Sequence, residues 1–254
     1  MPAIDLDRLE PKPAGFGRCG SCAYRDVGSA AICFACASKG IDRVGRGHCR
    51  TCDQRLPPSG ECSNYWCRRP LEDRYFSYIY AIAMRSGSLE AAINLYKYGN
   101  RTGWASIFAR VLVGYLDEAP DAFLPWDAII PSPTFVGPGA RRSWDHIGLI
   151  LDRAGVESAG RWPIVSGAGG VVEKTADTPS LVGKGLAERR DIAKTVLRRC
   201  LRVPDVARVA NKNILVFDDV FTDGSSMREV AKALLEAGAT TVAGIVLARQ
   251  PWRS

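Results

Sequence analysis

Eight of the nine cysteines fall between Cys19 and Cys67, in four close pairs: Cys19-x2-Cys22, Cys33-x2-Cys36, Cys49-x2-Cys52 and Cys62-x4-Cys67. A C-x2-C turn aims two sulfurs at one ion, and two such turns complete a tetrahedral four-thiolate zinc site. Beyond Ile32, Phe34, Val44 and Leu56 this stretch holds little apolar material. It cannot fold on burial alone and needs a staple. Met1 to Glu10 mixes acids with apolar residues and lacks the basic-then-apolar order of a secretion signal. No apolar run approaches the roughly 18 to 20 residues that span a bilayer. A cytoplasmic, reducing location without a membrane is therefore expected, and there close cysteine pairs favour metal over disulfides.

The short intervals within each half predict two sequential zinc ribbons. Cys19, Cys22, Cys33 and Cys36 would hold one ion, and Cys49, Cys52, Cys62 and Cys67 the other. A cross-braced arrangement, in which the first and third pairs share an ion, stays open on spacing alone. Four closed thiolates leave no position for water, so the zinc is structural. Iron–sulfur clusters usually need other spacings. His48, beside Cys49, reads as a solvated histidine. The formal charge of +7 suggests an acidic partner. Yet residues 1–70 carry 11 Lys/Arg against 7 Asp/Glu, and eight thiolates on two zinc ions would cancel that excess.

Residues 1–18, with Pro2, Pro11, Pro13, Gly15 and Gly17, read as a flexible lead-in, residues 19–70 as a double zinc-ribbon module, and residues 71–254 as a separate domain. In that domain strands are expected at Phe76–Met84, Trp126–Ile130, Asn213–Phe217 and Thr241–Leu247, with a weak one at Ile164–Val165. Helices are expected at Leu89–Tyr98, Trp104–Leu116, Ser143–Arg153, Leu186–Arg199 and Met227–Ala237. Gly167 to Thr178, with Glu173 and Lys174, reads as a mobile lid. Strands alternating with helices imply an α/β fold, a parallel sheet with helices on both faces.

The segment Ile214-Leu215-Val216-Phe217-Asp218-Asp219-Val220-Phe221-Thr222-Asp223-Gly224-Ser225-Ser226 carries the functional argument. A buried strand ends in two carboxylates, and ligands of open α/β sheets bind beyond the carboxyl ends of strands. Two adjacent acids there accept hydrogen bonds from vicinal hydroxyls, as on a ribose, or help hold hydrated Mg2+. The small-residue loop from Thr222 to Ser226 opens onto a helix N-terminus, whose amides and dipole cradle phosphate. Ser226-x-x-Glu229 also matches a capping box. Glycine at 224 suits a turn with positive φ. No P-loop is present. His146 reads as packed rather than catalytic, and Cys200 as a packed or free thiol.

This segment resembles the 5-phosphoribosyl-1-pyrophosphate (PRPP) motif of type I phosphoribosyltransferases, and the chain as a whole resembles the ComF (competence protein F) family. Leu95-Tyr96-Lys97-Tyr98-Gly99 is similar to that family's Lys-Tyr-Gly segment, and Asp127 to Pro133 to its strand ending in Pro-x-Pro. Arg141-Arg142-Ser143-Trp144-Asp145 stands at its basic pair, with Ser143 and Asp145 in place of Gly and Asn. Glu188-Arg189-Arg190 resembles its acid–arginine stretch, and the family also carries an N-terminal cysteine module. Asp223 departs from the usual Thr, setting a carboxylate against the expected phosphate unless it turns away.

The resemblance implies transfer of ribose 5-phosphate from PRPP with Mg2+ to a nitrogen acceptor. Asp218 and Asp219 would be the catalytic acids on the ribose. Val220, Thr222, Asp223, Gly224, Ser225 and Ser226 would hold the 5-phosphate, while Ser132, Thr134, Arg141 and Arg142 would lie toward the pyrophosphate. The alternative is a non-catalytic PRPP- or nucleotide-binding protein whose ribbons engage single-stranded DNA or a DNA-processing protein. Arg43, Arg46, Arg50, Arg55, Arg68 and Arg69 would then track the backbone. Neither the acceptor nor the oligomeric state is legible in the sequence.

Overall fold

A computed structural model describes residues 33–165, 170–179 and 183–251. Its centre is a four-stranded parallel sheet of β1 (Ile79–Met84), β2 (Ala128–Pro131), β5 (Asn213–Phe221) and β6 (Thr241–Arg249), in the order β1-β6-β5-β2. Alternation along the strands divides the core in two, because successive side chains of a strand point to opposite faces. Leu215, Phe217, Ala243 and Ile245 pack with one group of helices, whereas Ile214, Val216, Val242 and Val246 pack with another. Both faces are covered, as expected of parallel strands.

The first layer holds α1 (Gly87–Tyr98), α2 (Trp104–Glu118) and α3 (His146–Ser158). The second holds α5 (Ser225–Glu236) and a basic segment. The single helix expected over Leu186–Arg199 is instead α4 (Leu186–Ile192), a π-helical turn at Ala193–Leu197 and a short turn at Arg198–Cys200. Among the described residues no helix is long and apolar enough to cross a membrane.

Several expected boundaries move, each for a local reason. α3 begins at His146, not Ser143, because the Asp145 carboxylate accepts from the amides of Ile147 and Gly148 and caps it. β5 runs four residues past Phe217, since β6 continues to pair with it from Asp218↔Val246 to Phe221↔Arg249. The two acids therefore lie within the strand, not beyond its tip. Ser226 is not the helix cap expected from the capping-box pattern: α5 starts at Ser225 after Gly224, and Glu229 pairs with Arg228 instead. Ile164 makes a single parallel bridge to Ile129. The lid reading is corrected in part, for Glu173–Lys174 (β3) pairs antiparallel with Leu201–Arg202 (β4). Residues 166–169 lie outside the described residues.

The cysteine-bearing segment lies against the sheet and is fixed to its edge by polar contacts. The buried Asp53 carboxylate accepts from the amide of Ala81 (2.8 Å) and from the Tyr78 hydroxyl, and the amide of Ile79 donates to the carbonyl of Thr51 (2.9 Å). Cys49 and Cys52 pack with Phe76, Ile79 and Val246 in the second core.

Candidate functional site

Neighbouring residues of β5 point to opposite faces, so the two acids meet different surroundings. Asp219 turns toward the first helix layer and is 3% exposed. Its Oδ2 lies 2.6 Å from Nζ of Lys97 on α1 and 3.4 Å from Nε2 of His146 on α3. Burial pushes this carboxyl up, but the charge of Lys97 and the His146 contact outweigh it and hold the group well below the usual carboxylate range. Burial in turn lowers the imidazole of His146, against the pull of Asp219.

Asp218 is half-buried on the other side of the strand. Its Oδ1 accepts from the amide of Asp219 (2.9 Å), and Ser132 hydrogen-bonds its side chain. Burial and then the neighbouring charge of Asp219 raise this carboxyl to about 7, with Lys97 acting against them. One acid is thus locked as a paired anion, while the other is poised near neutrality.

The loop that follows is shaped from inside. Gly224 has φ +93°, and a Cβ there would come within 2.6 Å of the Phe221 ring, so glycine is needed both for conformation and for space. Asp223 is 4% exposed and turns back under the loop, accepting from the Ser225 hydroxyl and, at 3.4 Å, from the Ser225 amide. The departure at this position is thereby accommodated: the carboxylate braces the turn. The first amides of α5 have no intrahelical acceptor, and the dipole of the helix favours an anion there.

A cavity of about 1320 Å3 opens over the loop and both acids. Of the residues proposed from sequence, Asp218, Asp219, Val220, Thr222, Asp223, Ser226, Thr134, Arg141 and Arg142 line it. Ser132 lines an adjoining cavity of about 160 Å3 that shares Asp218, Ser226 and Thr134. Gly224 and Ser225 line neither, and Ser225 is 1% exposed.

Basic side chains surround the opening. Arg142 lies over the Tyr98 ring at 5.8 Å. Arg141 is held by Asp177 (2.9 Å) and by the carbonyl of Thr178, and Lys174 donates to Thr178 Oγ1 at 2.8 Å. The Asp177–Thr178 corner is so fastened across the mouth. Arg141 is therefore engaged within the protein, while Arg142 keeps a half-exposed position at the wall.

Sequence reasoning missed three residues. Lys97 continues the buried stripe of α1 formed by Leu89 and Ile93, and a lysine in that register was a readable sign of a buried partner. His146 is packed, as expected, at 6% exposure, and its Nε2 also contacts Asp219, which the sequence does not signal. Arg249 ends β6 with a fully buried guanidinium that reaches both the loop and Cys52; nothing in its sequence neighbourhood signals this.

At the cysteine segment, Cys49, Cys52, Cys62 and Cys67 bring four sulfurs within 4.8 Å of one another. This joins the third pair to the fourth, as the sequential reading expects, and not the first to the third. The donor set fits zinc: four soft sulfurs converge on one centre. Cys49 is pulled down by its three sulfur neighbours while Cys62 and Cys67 are pushed up, because thiolates this close cannot all ionise unless a cation joins them. Cys33 is the N-cap of the helical turn Phe34–Ala37 and Cys36 lies within it, but Cys19 and Cys22 lie outside the described residues.

The arginines suggested for a nucleic-acid backbone are partly engaged within the protein. Arg43 pairs with Glu118, Arg55 with Asp42, and Arg69 with the Tyr65 hydroxyl. Arg46 and Arg50 are exposed. No protein-family model matches this chain, and no curated protein matches it.

Proposed function

We propose that the chain is a phosphoribosyltransferase-like protein that binds PRPP with Mg2+ and transfers ribose 5-phosphate to a nitrogen acceptor. The resemblance to the ComF family and the type I phosphoribosyltransferase fold is part of this reading. The observation that carries it is the joining of Asp218, Asp219, Thr222, Asp223 and Ser226 in one large cavity with a basic rim. A sugar phosphate presents hydroxyls to acids and an anion to amides, and this site offers both.

In this reading the α5 N-terminus and the turn at Thr222, Asp223 and Ser226 take the 5-phosphate. Asp218 accepts from ribose hydroxyls. Asp219, fixed by Lys97 and His146, keeps the strand in register and a negative charge beneath the ribose as positive charge develops at C1. The C1–O bond to pyrophosphate breaks, a C1–N bond forms, and the proton of the acceptor nitrogen passes to the departing pyrophosphate. Pyrophosphate leaves toward Ser132, Thr134 and Arg142, whose donors and charge offset its own. Asp218 is the acid that fits hydrated Mg2+, as such ions keep several waters and use one or two carboxylates plus substrate phosphates. When bound there, Mg2+ would offset charge on the leaving pyrophosphate.

Incubation with PRPP, Mg2+ and a panel of bases and amines tests this. Pyrophosphate release that requires one acceptor and is lost in Asp218→Asn is the expected result. PRPP binding with no release for any acceptor would leave a binding protein. No PRPP binding at all would remove the reading.

A further inference from the structure

The cysteine cluster and the Phe221–Ser226 loop meet chiefly through one side chain. Arg249 is 0% exposed. Its Nε donates to the carbonyl of Cys52 (3.0 Å) and its Nη2 to the Cys52 sulfur (3.6 Å). Its Nη1 donates to the carbonyls of Phe221 (3.2 Å), Thr222 (2.5 Å) and Gln250 (2.8 Å). The guanidinium also lies 4.9 Å from the centre of the Phe221 ring, the ring against which Gly224 is packed. A second contact runs alongside. Nε1 of Trp66, one residue before Cys67, donates to Ser225 Oγ at 3.5 Å, and Arg228 of α5 lies over the Trp66 ring at 4.7 Å.

We propose that Arg249 is a positioning residue that makes the shape of the Phe221–Ser226 loop depend on metal at Cys49, Cys52, Cys62 and Cys67. The physical reason is the rigid fork of a guanidinium, whose N–H directions are fixed relative to one another. One side of the fork is set by the Cys52 turn, and the other holds the Phe221 and Thr222 carbonyls. Fixing those carbonyls fixes their peptide planes and so the amides that follow. Four thiolates around a divalent zinc carry a net charge of about −2, a counter-charge that a buried guanidinium requires. A donor to a ligating sulfur also orients that ligand, as outer contacts at metal sites commonly do. Without the ion, the four sulfurs have no common centre, and the Cys52 anchor of the fork is released.

The link between metal and loop stands on these contacts. That the ligand of the loop is a sugar phosphate rests on the proposed function.

Hydrogen–deuterium exchange on the full chain tests the link. As a chelator withdraws zinc from the wild type, amide exchange across 221–226 should rise roughly tenfold in step with zinc release, while α2 stays protected. Cys62→Ser, which removes a ligand from this cluster alone, should give the same rise. Arg249→Lys, which keeps the charge but not the fork, should loosen the loop in the zinc-bound protein and weaken zinc binding about 10- to 100-fold. Loop exchange that stays flat as zinc leaves the wild type overturns the proposal, and so does a loop unchanged in a folded Arg249→Lys. PRPP titration then separates the two readings. A loop loosened by zinc loss in a protein that never binds PRPP keeps the coupling and removes the transferase. PRPP binding in a protein whose loop exchange stays flat as zinc leaves does the reverse.

Discussion

Nζ of Lys97 lies 2.6 Å from Oδ2 of Asp219, in a pocket where the lysine is 15% and the acid 4% exposed at the side chain. A pair this buried is expensive to break, because the partner left behind is an unmatched charge. Lys97→Met should therefore lower the unfolding free energy by about 3 to 5 kcal/mol. The double variant Lys97→Met/Asp219→Asn should recover part of that loss, since it buries no lone anion. Urea melts of the three proteins check this, and a loss of equal size in both variants would contradict it.

Asp218 makes stability fall with pH. Its carboxyl is raised from 3.8 to about 7 in the folded chain, so over that window the folded state holds a proton that the unfolded state has released. Stability from this group is present below pH 3.8 and lost as pH climbs toward 7. The wild type should thus lose stability relative to Asp218→Asn between pH 4.5 and 7, with no further divergence above. Paired urea melts across that range give the difference, and parallel curves would refute the assignment.

The ionised form is the better acceptor of ribose hydroxyls. PRPP binding by the wild type should strengthen from pH 6 to 8 more than binding by Asp218→Asn, which cancels the titration of PRPP itself. Calorimetric titration at each pH measures the difference.

Gly224→Ala combines a residue at φ +93° with a Cβ 2.6 Å from the Phe221 ring. Backbone strain of this kind costs on the order of 1 to 3 kcal/mol. Thermal melts should show that loss together with weaker anion binding. A neutral substitution would mean that the turn accepts a side chain.

Metal analysis should find about two zinc ions per chain, falling to about one in Cys62→Ser. A wild-type value of one would limit the metal to the cluster of Cys49, Cys52, Cys62 and Cys67. A value of zero would remove the ribbon reading.

The α/β class, the four parallel strands and this second cysteine set were legible because each rests on a local pattern. Ile214, Val216, Leu215 and Phe217 form an apolar run buried on both faces, and the cysteine spacing points sulfurs to one centre. What escaped depends on distant partners. β5 runs through Asp218 and Asp219 only because β6 continues beside it. His146 and Arg249 gain meaning from residues 73 and 197 positions away, Asp219 and Cys52. The turn of Asp223 onto Ser225 needed coordinates, since an acid in a phosphate loop reads from sequence as a conflict.

The most direct measurement is a calorimetric titration of PRPP with Mg2+ into the zinc-loaded wild type and into Asp218→Asn at pH 8. The account predicts saturable binding of one PRPP per chain by the wild type and affinity at least about tenfold lower in the variant, the cost of a hydrogen bond to a charged acceptor. Equal affinities, or a wild type that takes up no PRPP, would contradict it.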